Sequence, residues 1–157
     1  MSWSVTEIEA LATKAARGAG APAGQAAQFG RALVRHMRAN RAEATLLRAL
    51  EALPDGPIID LPCTIEAALV DDTKCIATNS DDLLQSYLEA LPFAVEIDSA
   101  SGKLVIDHTA PPRSRTGRIT EFSETISLME KLAAETFVPE SAASRAAGAG
   151  AGLTDND

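Results

Sequence analysis

Three arginines lie close together in a polar stretch of the chain, and their side chains suit anion binding. Arg113, Arg115 and Arg118 are separated only by serine, threonine and glycine residues. A guanidinium group presents a planar fork of N–H donors that can bind a carboxylate or a phosphate through two parallel hydrogen bonds. The cluster therefore predicts a site for a small anionic metabolite, and the alternative is a solvated connection rich in turn-forming residues.

Two cysteines and two histidines are the other residues whose side chains suit catalysis or metal binding. Cys63 stands near a possible helix N-terminus, which lowers a thiol pKa, and His108 next to Asp107 supplies a base and an orienting acid. Nothing in the sequence brings these groups together, and unpaired cysteines are commonly buried, so we interpret the thiols as core residues. The eleven residues between Cys63 and Cys75 do not match a zinc finger or ribbon, so no metal is expected, even with His36 included.

A basic stripe runs through a region of helical periodicity. Its members are Arg31, Arg35, Arg38 and Arg41, and they stand beside a helix, a turn and a second helix, as in some DNA-reading proteins. A chain with a net charge of -8 would hold phosphates through a local patch only, so nucleic acid is not expected as a partner. We expect these arginines to lie on a solvated face or to pair with acidic residues from the middle of the chain.

Charge is unevenly distributed along the chain. Residues 1–50 hold seven Lys/Arg and three Asp/Glu, whereas residues 51–112 hold two and twelve. Oppositely charged segments favour packing against each other, within one chain or between copies. We therefore predict a non-enzymatic interaction or assembly protein that forms a homo-oligomer. The alternative is a binding protein or minor enzyme for the small anionic metabolite.

The chain ends in a motif of small and acidic residues. Its candidate site residues are Gly148, Gly150, Gly152, Asp155, Asn156 and Asp157. Alternating glycines suggest a dinucleotide-binding loop, but that loop needs a preceding strand and a following helix, and only five residues follow Gly152. The carboxylate and amide oxygens suit a hard cation, but ordering a chain end costs entropy. Neither a cofactor nor a metal is therefore expected here.

Helical periodicity dominates the N-terminal third. Ser4 and Glu7 have the spacing of a capping box, which predicts a first helix from Val5 to Arg17. A second helix is predicted to begin near Pro22 and to end near Asn40, because proline suits the first turn of a helix. Leucine spacing predicts a third helix over residues 41–53, before a Pro-Asp-Gly turn.

The middle of the chain mixes strand and helix signals. The run at 58–61 is β-branched and lies between two prolines, which predicts an edge strand or an extended loop. A helix is predicted over 81–91, with acidic residues in its first turn. Alternation over 93–98 and 104–108 predicts a β-hairpin, and a last helix is predicted from Thr120.

These elements predict an α+β fold in a single domain. A helical N-terminal third (1–53) is expected to pack with a mixed α/β part (57–137) that contains a small, mostly antiparallel sheet, the 93–108 hairpin and a C-terminal helix, followed by a tail (138–157). No apolar run reaches the roughly 18 to 20 residues of a membrane span, and no signal peptide is recognisable. We therefore expect no membrane contact and, with only two cysteines, a cytoplasmic location.

Both ends of the chain resemble one family. The run GAGAGLTDND from Gly148, with the preceding segment from Phe137 to Arg145, and the run EIEALATKAARGAG from Glu7 resemble a bacterial family known as domain of unknown function 3726. The resemblance implies no activity for any residue, but it implies that the terminal segment docks on the body or on a partner. Residues 16–33 also resemble the opening helical pair of NAD-dependent malate and lactate dehydrogenases, but this chain is too short for that enzyme and no cofactor follows.

Overall fold

Six helices and two small sheets make up the part of the chain that the structure describes. The computed structural model describes residues 2–71, 73–76, 81–111, 118–119 and 121–136. Within these ranges the helices are α1 (Val5–Gly18), α2 (Ala23–Arg38), α3 (Glu43–Glu51), α4 (Pro57–Val70), α5 (Asp82–Glu89) and α6 (Ser123–Ala134). Antiparallel pairing joins the strands β1 (Trp3–Ser4) and β4 (Arg118–Ile119), and the strands β2 (Ala94–Ile97) and β3 (Leu104–Asp107). The fold is α+β, which confirms the predicted class.

The predicted capping box opens α1. The Glu7 amide donates to Ser4 Oγ at 3.2 Å, and the Ser4 amide donates to Glu7 Oε2 at 2.8 Å. These bonds satisfy two donors that a helix leaves free at its N-terminus, and they lower the pKa of Glu7. The small side chains of Ala12 and Ala15 are fully buried beside Ile8, so α1 can lie close to its neighbours α2 and α6.

Helix α2 is the central element of the fold, because it packs against α1, α4 and α5. Phe29, Leu33 and Met37 are buried along one face at the helical spacing of four residues, as predicted. At Gly30 the backbone of α2 approaches α1 so closely that an added Cβ would overlap Thr13 Oγ1 and the carbonyl oxygen of Glu9. The absence of a side chain at Gly30 therefore sets the separation of α1 and α2.

The predicted strand at 58–61 is wrong, because these residues form the first part of α4. Pro57 occupies the first turn, where the missing N–H has no intrahelical partner to lose. Pro62 lies inside the helix and cannot donate to the carbonyl of Ile58, a loss that usually ends a helix. Ile58 and Ile65 are buried two turns apart, so burial of this apolar face outweighs the missing bond.

The predicted hairpin is confirmed, with Val95 opposite Ile106 and Ile97 opposite Leu104. Asp98 closes the turn, because its carboxylate accepts hydrogen bonds from the amides of Ala100 and Ser101, both at 3.2 Å. The Ser101 hydroxyl also bonds to this carboxylate and has the largest effect on it. Together with the two amides, it lowers the pKa of Asp98.

The first turn of α6 is satisfied by a residue of α3. Phe122 precedes α6 with a left-handed φ of 71°, and its side chain makes no capping hydrogen bond. Instead, Oε1 of Glu43 accepts a hydrogen bond from the Thr125 amide at 2.8 Å. A carboxylate at this position also complements the positive end of the helix dipole, so the contact ties α6 to α3.

None of the helices in the described ranges combines the length and the apolar character that crossing a membrane requires.

Replacement of Gly30 tests the close approach of α1 and α2. We expect Gly30→Ala to lower the free energy of unfolding by about 1–3 kcal/mol, because backbone atoms of α1 must move away from the new methyl group. Gly24→Ala on the same helix is the matched control, since nothing lies within 4 Å of its added Cβ. It should raise stability by up to about 1 kcal/mol through helix propensity. Urea unfolding measures both, and equal effects would contradict this account of the crossing.

Candidate binding site

A cavity of about 240 Å³ lies between α2, α4 and the end of α5. Its apolar wall comes from Pro62, Ile65 and Leu69 on α4 and from Leu91 and Pro92 after α5. The three residues of α4 recur at the spacing of one helical face, so the same folding of α4 that buries Ile65 also forms this wall. The result is a small apolar cleft at the meeting point of three helices.

Three polar side chains complete the cleft. Gln28 and Arg31 come from α2, where three-residue spacing places them on one face, and Glu66 comes from α4. Nε2 of Gln28 donates to Oε1 of Glu66 at 3.0 Å. The half-buried Arg31 makes no hydrogen bond or ion pair with any residue that the structure describes. A partly desolvated guanidinium group with five free donors is thus available at this cleft.

Tyr87 of α5 lines the same cleft and is only 4% exposed. Its hydroxyl is buried and has no hydrogen-bond partner within the described ranges. Burial raises the pKa of Tyr87 far above its usual value, so the hydroxyl stays protonated at physiological pH. A buried polar group without a partner reduces stability, so a buried tyrosine with an unsatisfied hydroxyl is unusual in the wall of a cleft.

A buried polar network beside the cleft holds α2 against α5. Arg41, in the connection between α2 and α3, forms two hydrogen bonds with the Glu89 carboxylate, at 2.7 and 3.1 Å. Nη1 of Arg41 also donates to Ser86 Oγ at 3.1 Å. Bidentate geometry and partial burial make this a stronger ion pair than a typical solvent-exposed one.

His36 of α2 extends this network and has no exposed surface. Its Nε2 lies 3.0 Å from the carbonyl oxygen of Ala42, and its Nδ1 lies 3.0 Å from Ser86 Oγ. A carbonyl only accepts, so Nε2 carries a proton, and Nδ1 of the neutral ring is an acceptor that faces the Ser86 hydroxyl. That hydroxyl also lies 2.7 Å from the Asp82 carbonyl oxygen, so its one proton has two acceptors within reach.

Burial makes His36 a neutral residue in the folded protein. Desolvation lowers the pKa of His36, and the nearby Arg41 cation lowers it further, against the opposing effects of the Ala42 carbonyl and of Asp82. A protonated His36 ring would be a buried cation next to the cationic Arg41, and the neutral ring removes that repulsion. His36 therefore acts as a structural link between α2, the start of α3 and α5.

The predicted arginine cluster is only partly within the described structure. Arg118 lies in β4, where Nε donates to Ser2 Oγ at 2.6 Å and Nη2 donates to the Ser2 carbonyl at 3.1 Å. Arg113 and Arg115 lie outside the described residues, as does the tail motif at 148–157. The anion site at Arg113, Arg115 and Arg118 and the site in the tail therefore stay predictions.

The interpretation of the cysteines as core residues is wrong, because Cys63 and Cys75 are both exposed. Cys63 is on the outward side of α4, a position that the strand assignment did not reveal. His108 is also exposed, and no hydrogen bond joins it to either thiol in the described part of the chain. Among the residues that the structure describes, no group of three His, Cys, Asp or Glu side chains is placed to hold a metal ion.

The arginines of the basic stripe have different environments. Arg35 is buried, Arg38 is exposed, and Arg31 reaches the cleft. Arg41 pairs with Glu89, which confirms for this residue the predicted pairing with the acidic middle segment.

Sequence reasoning missed Glu66, Ser86 and Tyr87 as site residues. The spacing of Pro62, Ile65, Glu66 and Leu69 is helical, and it would have grouped them if residues 57–70 had been assigned to a helix. The position of His36, seven residues after Phe29, was likewise a signal for a core histidine.

Comparisons of the chain with models of protein families, with curated proteins and with solved structures gave no match. The resemblance to domain of unknown function 3726 therefore stays a prediction.

Two neighbouring hydroxyl groups on α5 test the contrast between the network and the cleft. We expect Ser86→Ala to lower the free energy of unfolding by about 1–3 kcal/mol, because it leaves buried partners unsatisfied. Tyr87→Phe removes a hydroxyl that has no partner, so it should raise stability by up to about 1 kcal/mol. Chemical denaturation of both variants measures these effects, and a destabilised Tyr87→Phe protein would show that the hydroxyl is satisfied.

The low pKa of His36 implies a specific pH dependence. The unfolded chain has a histidine pKa of about 6.5, and the folded pKa is lower, so the unfolded state binds more protons between these values. The contribution of His36 to stability is therefore complete above about pH 6.5 and falls as the pH decreases toward the folded pKa. We expect urea unfolding between about pH 7.5 and 5.5 to show this loss in the native protein and in His108→Gln, but not in His36→Gln. If the free energy of unfolding changed equally with pH in His36→Gln and His108→Gln, the assignment of this pH dependence to His36 would be wrong.

Proposed function

We propose that this protein binds a small amphipathic organic molecule with an anionic group in the cleft between α2, α4 and α5. The observation that carries the proposal is the half-buried Arg31 guanidinium at an apolar cavity, where no described residue pairs with it. A partly desolvated charge without a partner is unfavourable in the empty protein, and a ligand carboxylate or similar anion would relieve it. The sequence also predicts a small anionic ligand, but at Arg113, Arg115 and Arg118 instead of Arg31.

The size of the cavity supports a small ligand. Its 240 Å³ lies just below the range of about 300–1,000 Å³ that is common for ligand pockets. The volume corresponds to about eight molecules of liquid water at about 30 Å³ each. This favours a compact molecule with one short apolar group over a nucleotide or another large cofactor.

We also infer that the protein self-associates, as its charge distribution predicts. The observation that favours this second function is the β2–β3 hairpin, which has no further strand paired to either edge among the described residues. Val105 on the hairpin is 53% exposed and Phe93 before it is 36% exposed. Unpaired strand edges with exposed apolar residues are suited to pairing with another chain.

We further propose a cytoplasmic location. Two free, exposed thiols at Cys63 and Cys75 support it, because a reducing compartment keeps such thiols from forming disulfides.

The anion requirement is tested with Arg31→Gln and, as a matched control, Arg48→Gln. Arg48 is an exposed arginine of α3 that does not line the cleft. We expect calorimetry to show binding of 3-phenylpropanoate by the native protein, about tenfold weaker binding by Arg31→Gln, and unchanged binding by Arg48→Gln.

Native mass spectrometry of protein purified without added ligand completes this test. We expect a retained small mass that Arg31→Gln lacks and Arg48→Gln keeps, and the same spectrum gives the number of subunits. The proposal fails if the native protein shows neither a retained mass nor binding of the probe, or if both variants behave alike.

A further inference from the structure

The cleft holds a negative charge as well as the positive charge of Arg31. Glu66 comes from α4 and Arg31 from α2, so the two charges reach the same cavity from different helices. They form no ion pair with each other. Because Arg31 and Glu66 do not neutralise each other, each charge at this cavity is available to a ligand.

The Glu66 carboxylate retains acceptor capacity. Its Oε1 accepts one hydrogen bond from the Gln28 amide, and an ionised carboxylate has about four acceptor positions. The Gln28 bond fixes the carboxylate at the cleft without neutralising its charge. An ammonium group, which carries three donors and no acceptor, is the complementary partner for such a group.

The pair of charges also excludes one ligand class. A phosphate dianion bound to Arg31 would bring two negative charges to a cleft that already holds the exposed Glu66 carboxylate, and like charges at one small cleft repel. A ligand whose only charged group is a carboxylate would bind Arg31 but would make no charge-assisted contact with Glu66. A molecule with both an ammonium and a carboxylate group satisfies both.

The remaining wall of the cleft determines the rest of the ligand. Ile65, Leu69 and Leu91 offer apolar surface and no hydrogen-bonding side chain. From this arrangement we infer that the ligand of the cleft is a zwitterionic amino acid with an apolar side chain. Its carboxylate binds Arg31, its ammonium group binds Glu66, and its side chain occupies the apolar wall. This inference rests on the proposed function and names the ligand class for the same cleft.

Three probes that share one body separate the contributions of the two charges. L-Phenylalanine carries both charged groups, 3-phenylpropanoate carries only the carboxylate, and 2-phenylethylamine carries only the ammonium group. L-Leucine serves as a second zwitterion with a smaller body. We expect calorimetry on the native protein to show at least one of the two amino acids binding about tenfold or more tightly than either singly charged probe, since each charge-assisted contact contributes to affinity.

Substitutions at the two charges should have opposite selectivity. Glu66→Gln, which keeps the size of the side chain, should lower the affinity for the amino acid about tenfold and leave the affinity for 3-phenylpropanoate unchanged or higher. Arg31→Gln should weaken both the amino acid and 3-phenylpropanoate. Glu51→Gln, an exposed glutamate of α3 outside the cleft, is the control and should change neither.

The outcomes distinguish this inference from the proposed function. If 3-phenylpropanoate binds as tightly as the amino acids and Glu66→Gln changes no affinity, the zwitterion assignment is overturned and the proposed function stands. If 2-phenylethylamine binds best and Arg31→Gln has no effect, both are overturned. No binding of any of the four probes to the native protein overturns the zwitterion assignment, and it overturns the proposed function as well if native mass spectrometry finds no retained mass.

Discussion

One chain of buried and partly buried hydrogen bonds joins the central helices α2 and α5. It runs from the Glu89 carboxylate through Arg41, Ser86 and His36 to the carbonyl of Ala42. Burying any of these groups without its partner would reduce the stability of the fold. A small displacement of α2 relative to α5 would weaken several of these hydrogen bonds at once. The non-directional packing of Leu, Ile and Ala side chains elsewhere in the core does not specify position so strictly.

The network and the cleft are built from the same two helices but follow opposite rules. In the network Ser86, His36 and Arg41 all have hydrogen-bond partners, and the two charges of the ion pair between Arg41 and Glu89 face each other. In the cleft, about one or two helical turns away along α2, neither Arg31 nor the hydroxyl of Tyr87 has a partner among the residues that the structure describes. Natural proteins place such unfavourable groups where a function requires them, and the rigid network is what can hold them in position.

Periodicity in the sequence was sufficient for most of the elements but not for the site. The first three helices, the helix that contains Tyr87 and the hairpin follow from local patterns, because capping residues, apolar spacing and alternation act over a few residues. The segment at 57–70 was misassigned because its two prolines and short β-branched run are local signals for extended structure, and tertiary burial of Ile58 and Ile65 outweighed them. That error also concealed the face of α4 that lines the cleft. Pairs such as His36 with Ser86 are fifty positions apart in the chain, and no local pattern relates them.

The uneven charge of the sequence has two separate consequences in the fold. Between Arg41 and Glu89 a basic residue of the first third and an acidic residue of the middle segment meet directly, and their attraction supports the helix packing. Arg31 and Glu66, from the same two segments, line one cavity without forming an ion pair, although Gln28 of the first segment donates to Glu66. The apolar side chains of α4 line the same cavity as the half-buried Arg31, so an anion that binds this guanidinium gains more there than it would in water. Attraction between the two segments thus stabilises the fold just beyond the C-terminal end of α2. Near the middle of the same helix, opposite charges at one cavity give it the polarity that a binding site for a small charged molecule requires.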